Sequence, residues 1–329
     1  MTPSEILERI RSLSVLVVGD VCLDRWCTYD PQTSEPSRET GLPRTGVVRT
    51  EVTAGAAGTV ANNLVALGSH KVAVIGVAGD DGHGYELRRE LQMRGIESGL
   101  LVTVANRQTF TYTKLINGRI GEEDLPRIDF ISTQPLEAEA EDVIASSIAA
   151  QVPNYDVVIV SDQAETDQGG VVTPKVRGAV AEMAAAYPNK VFWVDSRRRI
   201  QHFRGMVLKP NAAEADAACE ELFGRRDYPA LRRHTDARPL LVTHGGDGVL
   251  LVEEHGEEWI GTRKVEKPVD ICGAGDSFSA GGALALAACG SIRTAISFGN
   301  LVASVTIMKK GTGTASPQEV LAAAGLTVA

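Results

Sequence analysis

The chain of 329 residues has little cysteine and no pairing pattern in what it has: five residues, an odd number, with no C-x-x-C. That excludes a disulfide framework and points to reduced thiols. Positive charge is also short, with 33 Lys and Arg against 42 Asp and Glu, a net charge of −9, and no dense basic cluster. A nucleic-acid-binding surface is excluded on that ground, whereas anionic ligands held by local amides and a few cations are not. No apolar run is long enough to span a bilayer, since the Ala- and Gly-rich stretch near residue 280 is broken by polar residues. The start, Met1 to Leu13, is charged and helix-like, unlike a signal peptide. The expectation is a soluble cytoplasmic protein without nucleic-acid or membrane partners.

The motifs of several enzyme classes are missing as well. Gly19-Asp20-Val21 stands where a dinucleotide-binding chain would carry G-x-G-x-x-G, and no G-x-x-x-x-G-K-[ST] occurs. The six histidines lack H-E-x-x-H or paired-ligand spacing, and there is no G-x-S-x-G elbow. These absences argue against a Rossmann dehydrogenase, a Walker-A kinase, a zinc enzyme and a serine hydrolase.

What is present is a regular alternation of short apolar runs with helix-like segments. Val15–Val18, Lys71–Val77, Val157–Val160, Val191–Val194 and Leu240–Thr243 read as buried strands. The expected fold is α/β: a doubly wound, mostly parallel sheet flanked by helices, with length for one large domain or two smaller ones. Val47–Thr53 and Thr109–Ile116, the latter running into the turn signal Asn117-Gly118, predict a small extra β-sheet. The run Ala54–Asn63 is expected to start a helix that continues to Leu67 and stops at Gly68, and a strand-like segment to run from Trp259 to Val269.

The run Asp270-Ile271-Cys272-Gly273-Ala274-Gly275-Asp276 is where chemistry is expected. Gly273 and Gly275 permit a tight turn and a close approach to a ligand, and the first amides of the following helix, expected over Ser277–Cys289, attract anions. Asp276, beside that cradle, suits a base that takes a proton from a hydroxyl during phosphoryl transfer. A plain helix start would also place Asp there. Asp20 and Asp24 follow the first strand at its carboxyl end, where ligand groups gather in open α/β sheets, although Asp20 also fits a turn. Asn211 and Glu214, three apart at a helix start, face one point and fit a capping box. Arg197, Arg198 and Arg199 fit a phosphate contact or a solvated basic face.

Asp270 to Asp276 resembles the D-T-x-G-A-G-D signature of the ribokinase-like (PfkB) carbohydrate kinases, and the resemblance extends over nearly the whole chain. Val17 to Arg25 is similar to that family's first strand. Gly55 to Asn63 is similar to its G-G-x-x-x-N segment, with Ala54 for the first glycine and Thr59 for an asparagine. Leu125 to Phe130 resembles the I-R-L-D-F segment of the heptose-phosphate kinase branch, as does the tail from Ser316-Pro317.

The resemblance implies a carbohydrate kinase of a single domain over residues 1–329, with ATP as co-substrate, Mg²⁺ held through Asn211 and Glu214, and a monovalent cation. Its catalytic residues would be Asp276 as general base with Gly273, Ala274 and Gly275. Asp20, Asp24, Gly55, Asn63, Arg127 and Asp129 would bind the sugar, although an exposed ion pair also accounts for the last two. Thr243, Gly245, Gly248, Asp270, Asn300, Gly311 and Thr312 would bind the nucleotide. The small sheet, from segments at approximately 22–53 and 108–131, would be a lid over the sugar and the surface of a homodimer. The implied acceptor is D-glycero-D-manno-heptose 7-phosphate at O1. A kinase of a different sugar and an inactive binding protein of the same fold are the alternatives. The adenylyltransferase domain fused to some relatives is not expected here.

Overall fold

Helix α1 (Pro3–Ile10) precedes strand β1 (Ser14–Gly19), which runs almost directly into β2 (Val21–Tyr29). Strand β3 (Val47–Ala56) leads into α2 (Ala57–Ala66), and β4 (Lys71–Gly79) into α3 (Gly82–Met93). Short strands β5 (Leu101–Val104), β6 (Thr111–Asn117) and β7 (Ile128–Phe130) follow. Then come α4 (Ala138–Gln151), β8 (Val157–Asp162), α5 (Pro174–Ala186), β9 (Val191–Ser196), β10 (Val207–Leu208), α6 (Ala212–Phe223) and α7 (Tyr228–Thr235). The chain continues through β11 (Leu240–Thr243), β12 (Val249–Glu253), β13 (Gly256–Ile260), α8 (Ala274–Cys289), α9 (Ile292–Thr306) and α10 (Pro317–Ala323). This computed structural model describes residues 1–325.

Nine strands form the main sheet in the order β13-β12-β11-β10-β9-β8-β1-β4-β5. Its members from β11 to β5 pair in parallel, and β12 and β13 add an antiparallel edge. The apolar runs read from the sequence are the central strands, buried on both faces, which is why they lack alternation. Strand order reverses between β1 and β8, so the crevice at their carboxyl ends is the place for a ligand. Helix α8 lies against α9, α2 and β9, burying Phe278, Ala280, Ala283, Leu284 and Ala285. Its small residues set the helix close to Trp193 at the centre of the sheet. Truncating Leu284 there to Ala costs about 2–5 kcal/mol.

A second sheet of four strands, in the order β3-β2-β6-β7, stands beside the first. Strand β2 pairs antiparallel with β3 and parallel with β6, while β6 and β7 are antiparallel. The reversal at Asn117-Gly118 is wider than a two-residue turn, because Asn117 N–H donates to Glu122 C=O at 2.9 Å.

Three boundaries differ from the sequence reading. Ala54–Ala56 extend strand β3, and α2 opens only at Ala57, because pairing with Val21–Leu23 holds the small residues extended. The strand beginning before Trp259 ends at Ile260, where its antiparallel partner β12 runs out. Helix α8 starts at Ala274 rather than Ser277, which brings Ala274, Gly275 and Asp276 into its first turn.

Candidate active site

Gly273 is the N-cap of α8 and has φ +77°, a backbone state in which a side chain is strained. Ala274 N–H donates to the Ile271 carbonyl at 3.2 Å. The amides of Gly275 and Asp276 follow, at the end of the helix where no carbonyl stands one turn back. Neighbouring residues of this turn line two different cavities. Gly273 and Asp276 line one of about 190 Å³, and Ala274 and Gly275 line another of about 340 Å³.

The smaller cavity is walled by the small sheet through Asp24, Arg25 and Trp26 of β2 and Tyr112 and Lys114 of β6. Asp24 accepts a hydrogen bond from the Cys22 thiol at 3.7 Å, and burial lifts its carboxyl to about 6 against the pull of Lys114 and Arg127. Gly55 makes room for it: a Cβ there would stand 2.5 Å from Asp24 Oδ2. Arg127 reaches this cavity while paired with Asp129 at 2.7 Å, and its guanidinium lies 4.5 Å over the Tyr112 ring. Thr312, grouped with the nucleotide residues on sequence grounds, also lines this cavity rather than the larger one.

Four other candidates hold backbone together instead of lining either cavity. Asp20 is buried, and its carboxylate accepts the amides of Gln163, Ala164 and Val171 at 2.7–2.9 Å, which fixes the loop after β8. Asn63 is fully buried and donates to the carbonyls of Thr59 and Gly313. Asp270 accepts from the amides of Cys272 at 2.9 Å and Gly311 at 3.0 Å, tying the closing segment to the loop before α8. Gly311 lies under Trp26, with 3.2 Å between the ring and the position of a Cβ. These residues were expected at ligands because strand ends and helix starts are where both ligand groups and turn-fixing groups occur.

The larger cavity is mostly apolar, with Val265, Pro268, Ile271, Phe278 and Ile307 in its lining, and Thr243, Gly245, Gly248 and Asn300 add polar edges. Asn300 Nδ2 is buried there with no hydrogen-bond partner among the described residues. An apolar slot with one unsatisfied amide donor suits a planar heterocycle bearing acceptor nitrogens.

Beneath the first turn of α8, Lys209 Nζ pairs with Asp195 Oδ2 at 2.8 Å, and Ser279 donates to the same oxygen at 3.2 Å. Burial disfavours the Lys209 charge, yet Asp195 and Glu214 outweigh it and hold the ammonium above its ordinary value. Burial and the Asp195 charge lift Asp276 to about 8, with Lys209 pulling the other way. The same two causes lift Glu214 to about 7. Asn211 and Glu214 form the capping box: Glu214 N–H donates to Asn211 Oδ1 at 2.9 Å and Asn211 N–H to Glu214 Oε2 at 2.8 Å. Three carboxyl groups around one ammonium leave the cluster short of positive charge, so a divalent cation fits beside Glu214. Among the described residues no three His, Cys, Asp or Glu converge as a direct cage.

Lys209 and Asp195 were not singled out from the sequence as site residues. The signal was a lysine and an aspartate each ending an apolar strand, Met206–Leu208 and Val191–Val194, where a charge survives only with a partner. Trp26, Lys114 and Glu165 were missed too, because they come from strands of the small sheet and a loop whose meeting point depends on tertiary structure. Of the arginine triplet, Arg197 lines the smaller cavity, whereas Arg199 is paired with buried Asp162 at 3.0 Å.

Residues 12–319 match the pfkB family carbohydrate kinase profile. The bifunctional protein HldE of Pelobacter propionicus is 31% identical over 331 residues, covering 98% of this chain and 65% of that protein. The chain thus spans about two thirds or less of the length of the curated relatives it matches. Among solved structures, the ribokinase of Thermotoga maritima superposes with a TM-score of 0.71 at 20% identity, over 95% of this chain and 99% of that one. The Arabidopsis thaliana ribokinase complexed with ribose and ATP gives 0.69 at 18% identity, over 96% and 100%. No helix among the described residues is long and apolar enough to cross a membrane. The chain belongs to the pfkB family of carbohydrate kinases.

Proposed function

We propose that this chain transfers the γ-phosphoryl group of ATP to a sugar hydroxyl, with Asp276 as general base. The observation that carries the reading is the division of cavities at the start of α8. Asp276 lines the polar cavity, and the adjoining Ala274 and Gly275 line the apolar one. A hydroxyl bound beside Asp276 loses its proton to that carboxylate while its oxygen bonds to the γ-phosphorus. The bond from that phosphorus to the bridging oxygen breaks, and ADP leaves. The amides of Gly275 and Asp276 stabilise charge on the transferring phosphoryl oxygens. Glu214 and Asn211 would hold Mg²⁺, which supplies charge neutralisation for the phosphates when bound.

The acceptor in this reading is D-glycero-D-manno-heptose 7-phosphate, phosphorylated at O1. Likeness to HldE proteins supports a heptose, and the cations Lys114, Arg127 and Arg197 in the acceptor cavity support an acceptor that already carries a phosphate. Asp24, fitted against Gly55, would bind sugar hydroxyls. A second copy of the chain covering the small sheet, where Val48 and Ile128 are exposed, completes the reading; the mass in solution tests it.

ADP release with ATP and a panel of sugars and sugar phosphates tests the function. The heptose 7-phosphate is expected to give the highest kcat/KM. A chain that binds ATP yet releases no acceptor-dependent ADP would be a binding protein and not a kinase.

A further inference from the structure

The acceptor cavity carries more positive charge than a neutral sugar requires. Arg25, Lys114, Arg127 and Arg197 line it. Asp276 offsets them only weakly, because burial holds it toward its neutral form, and Asp24, raised to about 6, supplies one negative charge near neutral pH. Outside the lining, Arg127 pairs with Asp129 at 2.7 Å, Arg25 with Glu86 at 3.7 Å and Lys114 with Glu123 at 3.9 Å, so the remaining acidic group of the lining itself is Glu165. Its Oε1 is ion-paired with Arg197 Nη1 and accepts the Tyr112 hydroxyl at 3.2 Å. The side chains of Glu165 and Arg197 are each 43% exposed, so the pair neutralises no buried charge and adds little stability. The backbone at Glu165 is fixed instead: Arg198 donates to its carbonyl at 2.5 Å, and Arg199 holds Asp162 just upstream at 3.0 Å. A carboxylate on fixed backbone, with an exposed and weakly held side chain, can swing away from the guanidinium without disturbing the loop.

We propose that Arg197, Arg127 and Lys114 form a receptor for a phosphate monoester on the acceptor, and that Glu165 fills it in the free protein as a stand-in anion. Glu165 is then a specificity-determining residue. The inference rests on the kinase reading above and adds to it the group that screens acceptors. A phosphomonoester brings close to two negative charges and three acceptor oxygens, so it displaces a single carboxylate from the guanidinium. A neutral sugar brings neither and leaves Glu165 in place. Selectivity therefore arises from an internal competitor as well as from the receptor. Free inorganic phosphate carries the same chemistry and should compete at this place.

The test uses the full chain as wild type, Glu165→Gln, Arg197→Met and the double variant. ADP release is measured with D-glycero-D-manno-heptose 7-phosphate and with the unphosphorylated heptose, and inorganic phosphate is titrated by thermal shift without substrates. Glu165→Gln is expected to lower KM for the phosphate ester by about 3–10-fold, to move KM for the free heptose by a smaller factor than that for the ester, and to tighten phosphate binding by about 3–10-fold. Arg197→Met should raise KM for the ester by about 30-fold or more, with less than about a 3-fold change for the free heptose, and should cancel the gain in the double variant. Loss of affinity for both acceptors in Glu165→Gln, or unchanged phosphate affinity, overturns the proposal. Tighter phosphate binding with no change in ester KM also overturns it, since the receptor would then take free phosphate only. If no acceptor gives Asp276-dependent ADP release the kinase reading fails by itself, and the phosphate titration still decides the receptor.

Discussion

Lys209 Nζ and Asp195 Oδ2 lie 2.8 Å apart with side chains only 4% and 7% exposed, directly below the turn that carries Asp276. A buried pair of this kind does two things. It satisfies two strand ends, and it sets the potential felt by the carboxyl groups above it. Replacing Lys209 with Met leaves Asp195 buried without its cation, at a cost of about 3–5 kcal/mol. It also removes the charge that draws Asp276 down. The urea midpoint is expected to fall, and in the protein that stays folded the acid limb of kcat/KM should move to higher pH.

The pH dependence follows from the raised carboxyls. Asp276 stands near 8, Glu214 near 7 and Asp24 near 6, with burial the leading cause in each. Each is above its unfolded value of about 4, so the native state binds more protons than the unfolded chain across this window. Their stabilising contribution is full below about pH 4 and is lost as pH rises through the native values. A base must be ionised, so kcat/KM should rise with pH, reach half its maximum near 8 and level off above that. Ligand-free Asp276→Asn should melt roughly 2–4 °C above wild type at about pH 9 and alike at about pH 4. Paired melting curves check the sign.

Gly55→Ala tests the acceptor side. Its Cβ would stand 2.5 Å from Asp24 Oδ2, so the carboxylate must move. Acceptor kcat/KM is expected to fall by about 10²-fold, the loss from misplacing a binding group by about 1 Å, with Kd for ATP unchanged. Equal loss of both would mean that the two cavities are not separate.

Asp20→Ala should behave as a folding variant. Three amides lose a carboxylate acceptor inside the protein, a cost of about 1–3 kcal/mol. The urea midpoint should drop, while kcat of the folded fraction stays within about 3-fold. A much larger fall in kcat with unchanged stability would return Asp20 to the sugar site.

The sequence was most informative where one local rule decides. Apolar runs such as Val157–Val160 announced parallel strands, and the glycines around Ala274 announced a turn into a helix. It was ambiguous where one residue type serves two purposes. Asp20, Asp270 and Asn63 sit where ligand groups sit, yet backbone amides and carbonyls of distant loops claim them. Asn211 and Glu214 form a capping box regardless of any metal. Long-range partners left no local trace: Trp26 over Gly311 and Glu165 on Arg197 bring together segments far apart in the chain.

The most direct measurement of the central claim compares wild type with Asp276→Asn in acceptor-dependent ADP release and in ATP binding. With Asp276 as the base, kcat should fall by about 10²–10⁴-fold and Kd for ATP should change by less than about 3-fold. Turnover within a few-fold of wild type would contradict the account.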